Sequence, residues 1–138
     1  MMRLKLVKTM EEQNAHTQPG DGGLLHGTAV LKFLVLPWAR TDRIVCADSY
    51  FASVGTLKEL KRIGLRFIGV VKTATRQFPQ SYLANLEMRV RGERRGLVAR
   101  DEYDTPYMLA FSWMDRDRRY FISSASSLQP GRAYTRQR

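Results

Sequence analysis

Apolar residues between positions 43 and 71 outline a strand, a helix and a second strand in that order. Residues 43–47, which contain the apolar run Ile44–Ala47, predict a short strand buried on both faces, as in a parallel sheet. The helix is expected to start at Ser53 as N-cap and to end before Gly64, with apolar side chains at helical spacing at Val54, Leu57, Leu60 and Ile63. Residues 65–71 form the second apolar strand. The segment therefore predicts a right-handed βαβ unit, whose ligands bind beyond the carboxyl ends of its strands.

The preceding segment carries weaker patterns. The alternation in Arg3–Val7 predicts a short strand, and the polar stretch 11–23, rich in Gly and Pro, predicts a loop. Thr28 is predicted to cap a helix that ends before Pro37 and has one apolar face.

The pattern changes again beyond residue 72. A short helix is expected at 79–88, followed by antiparallel strands at 96–99, 107–113 and 119–123 and a hairpin turn at 115–118. The chain thus divides into a strand with a flexible loop (1–24), an α/β core portion with the βαβ unit (25–76), an α/β insertion region with antiparallel strands (77–125) and a basic tail (126–138).

Charge narrows the class of partner. The net charge of +10, from 23 Lys and Arg against 13 Asp and Glu, favours a polyanion, and nucleic acid is the first candidate. No apolar run approaches the ~20 residues that span a bilayer, so no membrane partner is expected. The amino terminus carries no apolar signal segment, which predicts an intracellular protein.

Metal chemistry is restricted to carboxylates. Cys46 is the single cysteine and lies inside an apolar run, so it is interpreted as a small buried core residue. With His16 and His26 it cannot complete a four-ligand zinc site. Asp48 directly follows the first strand of the βαβ unit, where a carboxylate can project into a crevice and bind Mg²⁺. The same position also suits a helix cap or a turn residue, so the residues alone leave both roles open.

The residues around Asp48 resemble a motif of PiggyBac-type transposases. In Ile44–Ser53 an apolar strand leads into Asp, a small polar residue and two aromatic residues, and Ala52 stands where that family usually has Thr or Ser. The similarity covers most of residues 25–125 and continues at Leu57, Leu60, Gly64, Gly69, Val70, Val71, Lys72, Arg76, Pro79, Trp113, Asp115, Phe121, Ile122, Ser123 and Ser124.

The resemblance implies part of an RNase H-like fold, with a mixed sheet that contains the βαβ unit and a small antiparallel β insertion after it. It also implies three catalytic aspartates that bind two Mg²⁺ ions for DNA cleavage and strand transfer, a DNA partner, a nuclear location and a homodimer as in related transposases. Asp48 corresponds to the second aspartate. The first belongs upstream of the segment resembling Met2–Lys8 and the third follows a Gly-Gly-Val-Asp-like motif, and neither position is found in the sequence. The expectation is a catalytically incomplete site with Asp48 as its one ligand.

Basic residues beyond the βαβ unit are the candidates for DNA contact. Lys72 and Arg76 follow its second strand and are predicted to bind phosphates beside Asp48. Further candidates in the insertion region are Arg89, Arg91, Arg94 and Arg95. The acids of that region, Asp101, Glu102, Asp104, Asp115 and Asp117, are interpreted as turn and surface residues rather than metal ligands.

Two alternatives compete with a transposase-derived fragment. A non-catalytic nucleic-acid-binding module would keep the basic surface and use Asp48 only as a structural cap. A small doubly wound receiver domain would use Asp48 as phosphoacceptor, but that fold needs an acidic pair after an early strand, which the region before Asp48 does not contain.

Overall fold

The computed structural model describes residues 25–72, 75–127 and 129, which form an α/β structure around one mixed sheet. The helices are α1 (His26–Val35), α2 (Val54–Arg62) and α3 (Gln80–Asn85), with a 3₁₀ turn at Leu36–Trp38. The strands are β1 (Ile44–Ala47), β2 (Arg66–Val71), β3 (Arg94–Arg100), β4 (Pro106–Met114) and β5 (Arg118–Ser123). The strand expected at Arg3–Val7, the loop at 11–23 and most of the basic tail lie outside the described residues.

The predicted βαβ unit is formed by β1, α2 and β2. The two strands pair in parallel, with Val45 opposite Phe67. Helix α2 begins as expected, because Ser53 Oγ accepts the backbone N–H of Thr56 at 3.0 Å. It also ends as expected, since Gly64 has a φ of +77° and the N–H of Leu65 donates to the Leu60 carbonyl at 2.9 Å.

The antiparallel strands continue the same sheet. Its strand order is β1-β2-β5-β4-β3, and β5 pairs antiparallel with β2, so that Ile122 lies opposite Gly69. Strands β4 and β5 are joined by the predicted turn at residues 115–117. The insertion region is therefore built onto the edge of the parallel pair.

Three helices cover one face of this sheet. Leu31 of α1, Leu57 and Leu60 of α2 and Leu83 of α3 belong to one core cluster with sheet residues that include Phe67, Val71, Ala110 and Ile122. The opposite face is not covered by any of the described helices, and Ile44, Val98 and Trp113 there are about half exposed, at 45%, 53% and 45%.

The environment of β1 corrects two expectations. The strand is not buried on both faces, and Cys46 is exposed rather than part of the core. Within the described residues β1 pairs only with β2, at the edge of the sheet, and its alternate side chains, Ile44 and Cys46, project from the uncovered face. Only Val45 and Ala47 pack against the core.

The expectation for Thr28 was also wrong. Helix α1 starts at His26, so Thr28 lies inside the helix rather than at its cap. The side chain is buried, at 4% exposure, and its hydroxyl lies 2.7 Å from that of Thr56 in α2. Its role is to join two helices, which periodicity within one segment cannot indicate.

An ion-pair cluster also links the two helices. Glu59 of α2 forms ion pairs through its Oε1, at 2.8 Å from Lys32 Nζ of α1 and at 2.6 Å from Arg62 Nη2. The Glu59 side chain is only 13% exposed. The hydrogen bond from Arg62, with help from Lys32, lowers the pKa of the Glu59 carboxyl from 4.5 to about 2. Because the folded-state pKa is depressed, the stabilisation is present above the unfolded pKa and is lost as the pH falls towards 2.

We expect Glu59→Gln to lower the free energy of unfolding at pH 7 by about 1–2 kcal/mol, a value discounted for the exposure of Arg62. The difference from wild type should shrink between pH 4.5 and pH 2, where wild-type Glu59 becomes protonated. Urea melts at several pH values measure both. The control is Glu87→Gln, which breaks a surface pair with Arg89 and should change stability by less than ~0.5 kcal/mol. Equal effects of the two variants, or a Glu59→Gln effect independent of pH, would contradict this assignment.

Candidate functional site at the carboxyl end of the parallel strands

Asp48 lies directly after β1, in an exposed turn that leads into α2. Its Oδ1 accepts the backbone N–H of Tyr50 at 3.0 Å, and its carbonyl oxygen accepts the N–H groups of Phe51 and Ala52, both at 3.2 Å. Within the described residues hydrogen bonding to the carboxylate involves Oδ1 alone, which leaves Oδ2 available to a metal ion.

Buried hydroxyls hold this turn against both helices. Thr56 is fully buried, and its hydroxyl donates to the Phe51 carbonyl at 2.6 Å. Because a hydroxyl has one proton to donate, Thr56 accepts from Thr28, at 2.7 Å. The carbonyl at the centre of the Asp48 turn is thereby tied to α2 and, through Thr28, to α1.

A close contact fixes the other side of the turn. Ala52 is 5% exposed and lies over Gly69 of β2, so that a Cβ at position 69 would be 2.7 Å from the Ala52 Cβ and 2.8 Å from the Phe67 ring. Only glycine at position 69 lets the turn approach the sheet this closely. The close approach to Gly69 also leaves room only for a small side chain such as that of Ala52. The helix cap is supplied by the next residue, Ser53.

A cleft of about 600 Å³ is lined by the turn residues that follow Asp48, although not by Asp48 itself. The two aromatic residues after Asp48 differ in environment, because Phe51 packs against the core whereas Tyr50 is 56% exposed. Phe51 therefore anchors the turn to the core, whereas Tyr50 does not. The cleft is lined by Leu25, Gly27, Thr28, Ser49, Tyr50, Phe51, Ala52, Ser53, Gly55, Thr75, Arg76 and Gln77.

Lys72 and Arg76 lie near this cleft, although neither touches the Asp48 carboxylate. Lys72 follows the last residue of β2 and is exposed, at the sheet end where Asp48 follows β1. Arg76 is exposed and lines the cleft together with Ser49 and Tyr50. Both positions agree with phosphate contact, which stays a prediction.

Strand direction brings the remaining cations to the same end of the sheet. Strand β5 starts where β2 ends, Met114 at the end of β4 lies opposite Arg118, and Arg94 at the start of β3 lies opposite Trp113. The candidates Arg89, Arg91, Arg94 and Arg95 therefore lie in β3 or directly before it, at the Asp48 end of the sheet. Four spacings of ~4.8 Å separate β1 from β3 across the sheet, about 19 Å in all, which is roughly the length of five or six base pairs of duplex DNA.

These arginines differ in how far they are engaged. Arg91 pairs with Asp115 at 2.9 Å, Arg95 lies 3.9 Å from Glu93, and Arg89 pairs with Glu87. All three arginine side chains remain at least half exposed, at 77%, 51% and 79%. Surface pairs of this kind are weak and can be exchanged for phosphate contacts.

Three further arginines at this end were not singled out from the sequence. Arg116 lies in the β4–β5 turn and Arg119 in β5, and both are exposed. Arg118 is engaged, because its guanidinium donates to the carbonyls of Leu83 at 2.7 Å and Leu86 at 2.6 Å, at the carboxyl end of α3. The predicted hairpin turn at 115–118 was the available signal that these residues share one end of the sheet.

The carboxylates of the described residues do not form a complete metal site. Within residues 25–72, 75–127 and 129, no three His, Cys, Asp or Glu side chains cluster as metal ligands would. Asp101 accepts two backbone N–H groups in the β3–β4 turn, Asp104 lies beside Arg100, and Asp115 pairs with Arg91. Asp48 thus offers one hard oxygen ligand, whereas two-metal chemistry requires several converging carboxylates.

Comparison with known proteins identifies the class. The family model described as Transposase IS4 matches residues 1–138, so the chain belongs to this DDE-type transposase family. Among solved structures, the chain is similar to the piggyBac transposase in a cryo-EM structure of its synaptic complex with hairpin DNA, with a TM-score of 0.64 and 22% identity. No curated protein sequence matches significantly.

The structural likeness covers 83% of this chain and 23% of the piggyBac transposase chain. It confirms the predicted fold class, and together with the family match it confirms the resemblance to PiggyBac-type transposases. Among the described helices none is long and apolar enough to cross a membrane.

We expect Gly69→Ala to destabilise the chain by about 1–3 kcal/mol, because its new methyl group must displace Ala52 or the Phe67 ring. Gly55→Ala is the matched control: Gly55 is exposed in the first turn of α2, and a Cβ there meets only Ser53 Oγ at 3.6 Å. That control should stabilise by up to ~1 kcal/mol through helix propensity. Urea midpoints at constant m-value measure both changes, and a neutral Gly69→Ala would show that the turn does not depend on this contact.

Proposed function

We propose that this chain is a portion of a PiggyBac-type DDE transposase domain that binds DNA across the sheet end carrying Asp48, here called the Asp48 end. The observation that carries the proposal is the placement of Lys72, Arg76 and the arginines near β3 at the same end as Asp48. DNA in the similar piggyBac complex supports it. The homodimer and the nuclear location implied by the resemblance belong to the same proposal.

The metal chemistry follows from the single carboxylate. DDE transposases generally use a divalent metal ion, and Mg²⁺ suits the hard carboxylate oxygen of Asp48. A bound pair of such ions supplies the clamp on the attacking and leaving oxygens of a phosphodiester. The family resemblance makes DNA cleavage and strand transfer the ancestral reaction. We infer that these 138 residues are catalytically incomplete on their own, because Asp48 contributes one ligand of several.

The isolated chain should not cleave transposon-end DNA in Mg²⁺, because one carboxylate does not hold two ions in the required geometry. A gel assay with labelled DNA measures cleavage, with Asp48→Ala as the paired variant. Robust cleavage that Asp48→Ala abolishes would show a complete site and overturn the inference of incompleteness. Cleavage unchanged in Asp48→Ala would indicate a contaminating nuclease.

Binding to duplex DNA should weaken steeply with salt, because contacts to phosphates release counterions. Replacing Lys72 and Arg76 by Gln should lower the slope of log affinity against log salt by about 2, close to 0.9 for each lost phosphate contact. Fluorescence anisotropy over a salt series measures it. The matched control replaces Arg43 and Lys61, exposed cations at the opposite end of the sheet, and removes the same charge.

Equal losses in the two double variants would mean that net charge, rather than the Asp48 end, determines binding. Affinity independent of salt would remove the electrostatic basis of the proposal altogether.

The hydrogen bond from Tyr50 N–H to Asp48 Oδ1 favours a second function, a non-catalytic nucleic-acid-binding module in which Asp48 only shapes its turn. Asp48→Asn distinguishes the two, since the amide oxygen can still accept this bond while the charge is lost. If Asp48 only shapes its turn, Mg²⁺ should change the DNA affinity of wild type and Asp48→Asn equally. If Asp48 is a metal ligand, wild type should show an additional response to Mg²⁺ that Asp48→Asn lacks.

A further inference from the structure

Tyr50 is an exposed aromatic side chain held in a defined place. Its ring meets that of Phe51 edge to face, with centroids 4.9 Å apart and planes at 89°. Gly27 of α1 lies against it, since a Cβ there would be 2.9 Å from the Tyr50 carbonyl and 3.7 Å from its ring. These contacts restrain the ring while 56% of the residue remains exposed.

The cleft beside Tyr50 has the size and lining of a site for a small planar ligand. Its volume of about 600 Å³ falls within the range of ~300–1,000 Å³ typical of small-molecule sites. Tyr50 supplies an aromatic wall, Ser49 and Gln77 supply polar groups, and Arg76 supplies a positive charge. An aromatic face beside a cation suits a nucleobase with its phosphate.

We propose that Tyr50 stacks on an unpaired nucleobase of DNA bound at the Asp48 end. This inference rests on the proposed function. An unpaired base is required because bases inside a duplex are already stacked on both faces and reach such a cleft only after leaving the stack. Tyr50 is two residues from Asp48, a separation of at most ~7 Å along the chain, so the stacked base belongs to a nucleotide next to Asp48.

Other exposed tyrosines lack these surroundings and provide a control. Tyr103 is 81% exposed in the β3–β4 turn, between the acidic residues Glu102 and Asp104. It lies at the sheet end opposite Asp48, where β3 ends and β4 begins. If any exposed tyrosine raised DNA affinity, removing Tyr103 would weaken DNA binding as removing Tyr50 does.

The test compares binding to a blunt duplex with binding to the same duplex carrying an unpaired 3′ end that contains 2-aminopurine. Tyr50→Ala should weaken binding to the unpaired end by about 5-fold or more beyond any effect on blunt-duplex binding, the equivalent of ~1 kcal/mol for one stacked base. Tyr50→Phe keeps the aromatic face and should retain the affinity, whereas Tyr50→Leu keeps apolar bulk without that face and should lose both the affinity and the quenching of 2-aminopurine. Tyr103→Ala should behave as wild type.

Failure of this inference is separable from failure of the proposed function. Salt-dependent duplex binding with equal affinity for the unpaired end in wild type and Tyr50→Ala would overturn the stacking role alone. Absence of any DNA binding by the wild-type chain would overturn the proposed function and the inference with it. Urea melts of each variant show whether it is folded. If Tyr50→Ala is unfolded, quenching by Tyr50→Leu equal to that of wild type overturns the inference.

Discussion

The contact between Ala52 and Gly69 determines where Asp48 lies. Asp48 is exposed, and its oxygens accept hydrogen bonds from backbone N–H groups of the turn that follows it, so its place depends on that turn. Gly69 lets that turn descend onto β2, and Thr56 ties its central carbonyl to α2 at 2.6 Å. The side of the turn facing the helices is held by directional hydrogen bonds and the side facing the sheet by close packing. Asp48 is thus presented at a fixed height above the sheet end.

The charge at the Asp48 end is a consequence of sheet topology rather than of local sequence. Parallel β1 and β2 bring Asp48 and Lys72 to one end, and each antiparallel step afterwards returns the chain to it. The segment before β3 and the β4–β5 turn therefore lie together at the Asp48 end. Arg91 of the first and Asp115 of the second are hydrogen-bonded there, although they are 24 residues apart in sequence. A basic edge about 19 Å long results, with acids that neutralise part of it.

What the sequence predicted well was local. The cap at Ser53, the residue Gly64 after α2 and the strand before Asp48 each follow from the conformational preferences of a few neighbouring residues. The errors concern residues whose environment is set by distant segments. Cys46 is exposed because β1 lies at the edge of the described sheet, and Thr28 is buried because α2 places Thr56 against it. Tyr50 and Phe51 are adjacent and both aromatic, and only packing against the core distinguishes them.

Asp48 can serve both the turn and a metal because its two oxygens are used differently. Oδ1 accepts the Tyr50 N–H, which fixes the orientation of the carboxylate, and Oδ2 is left for a metal ion. In the proposed function, the negative charge of Asp48 would oppose a phosphate held by Lys72 or Arg76 if no metal were bound. A divalent ion held by Asp48 would carry the largest charge in such a site and would offset that repulsion. The proposed function therefore couples metal binding to DNA binding through charge, whereas a carboxylate that only shaped its turn would oppose DNA binding without any compensation.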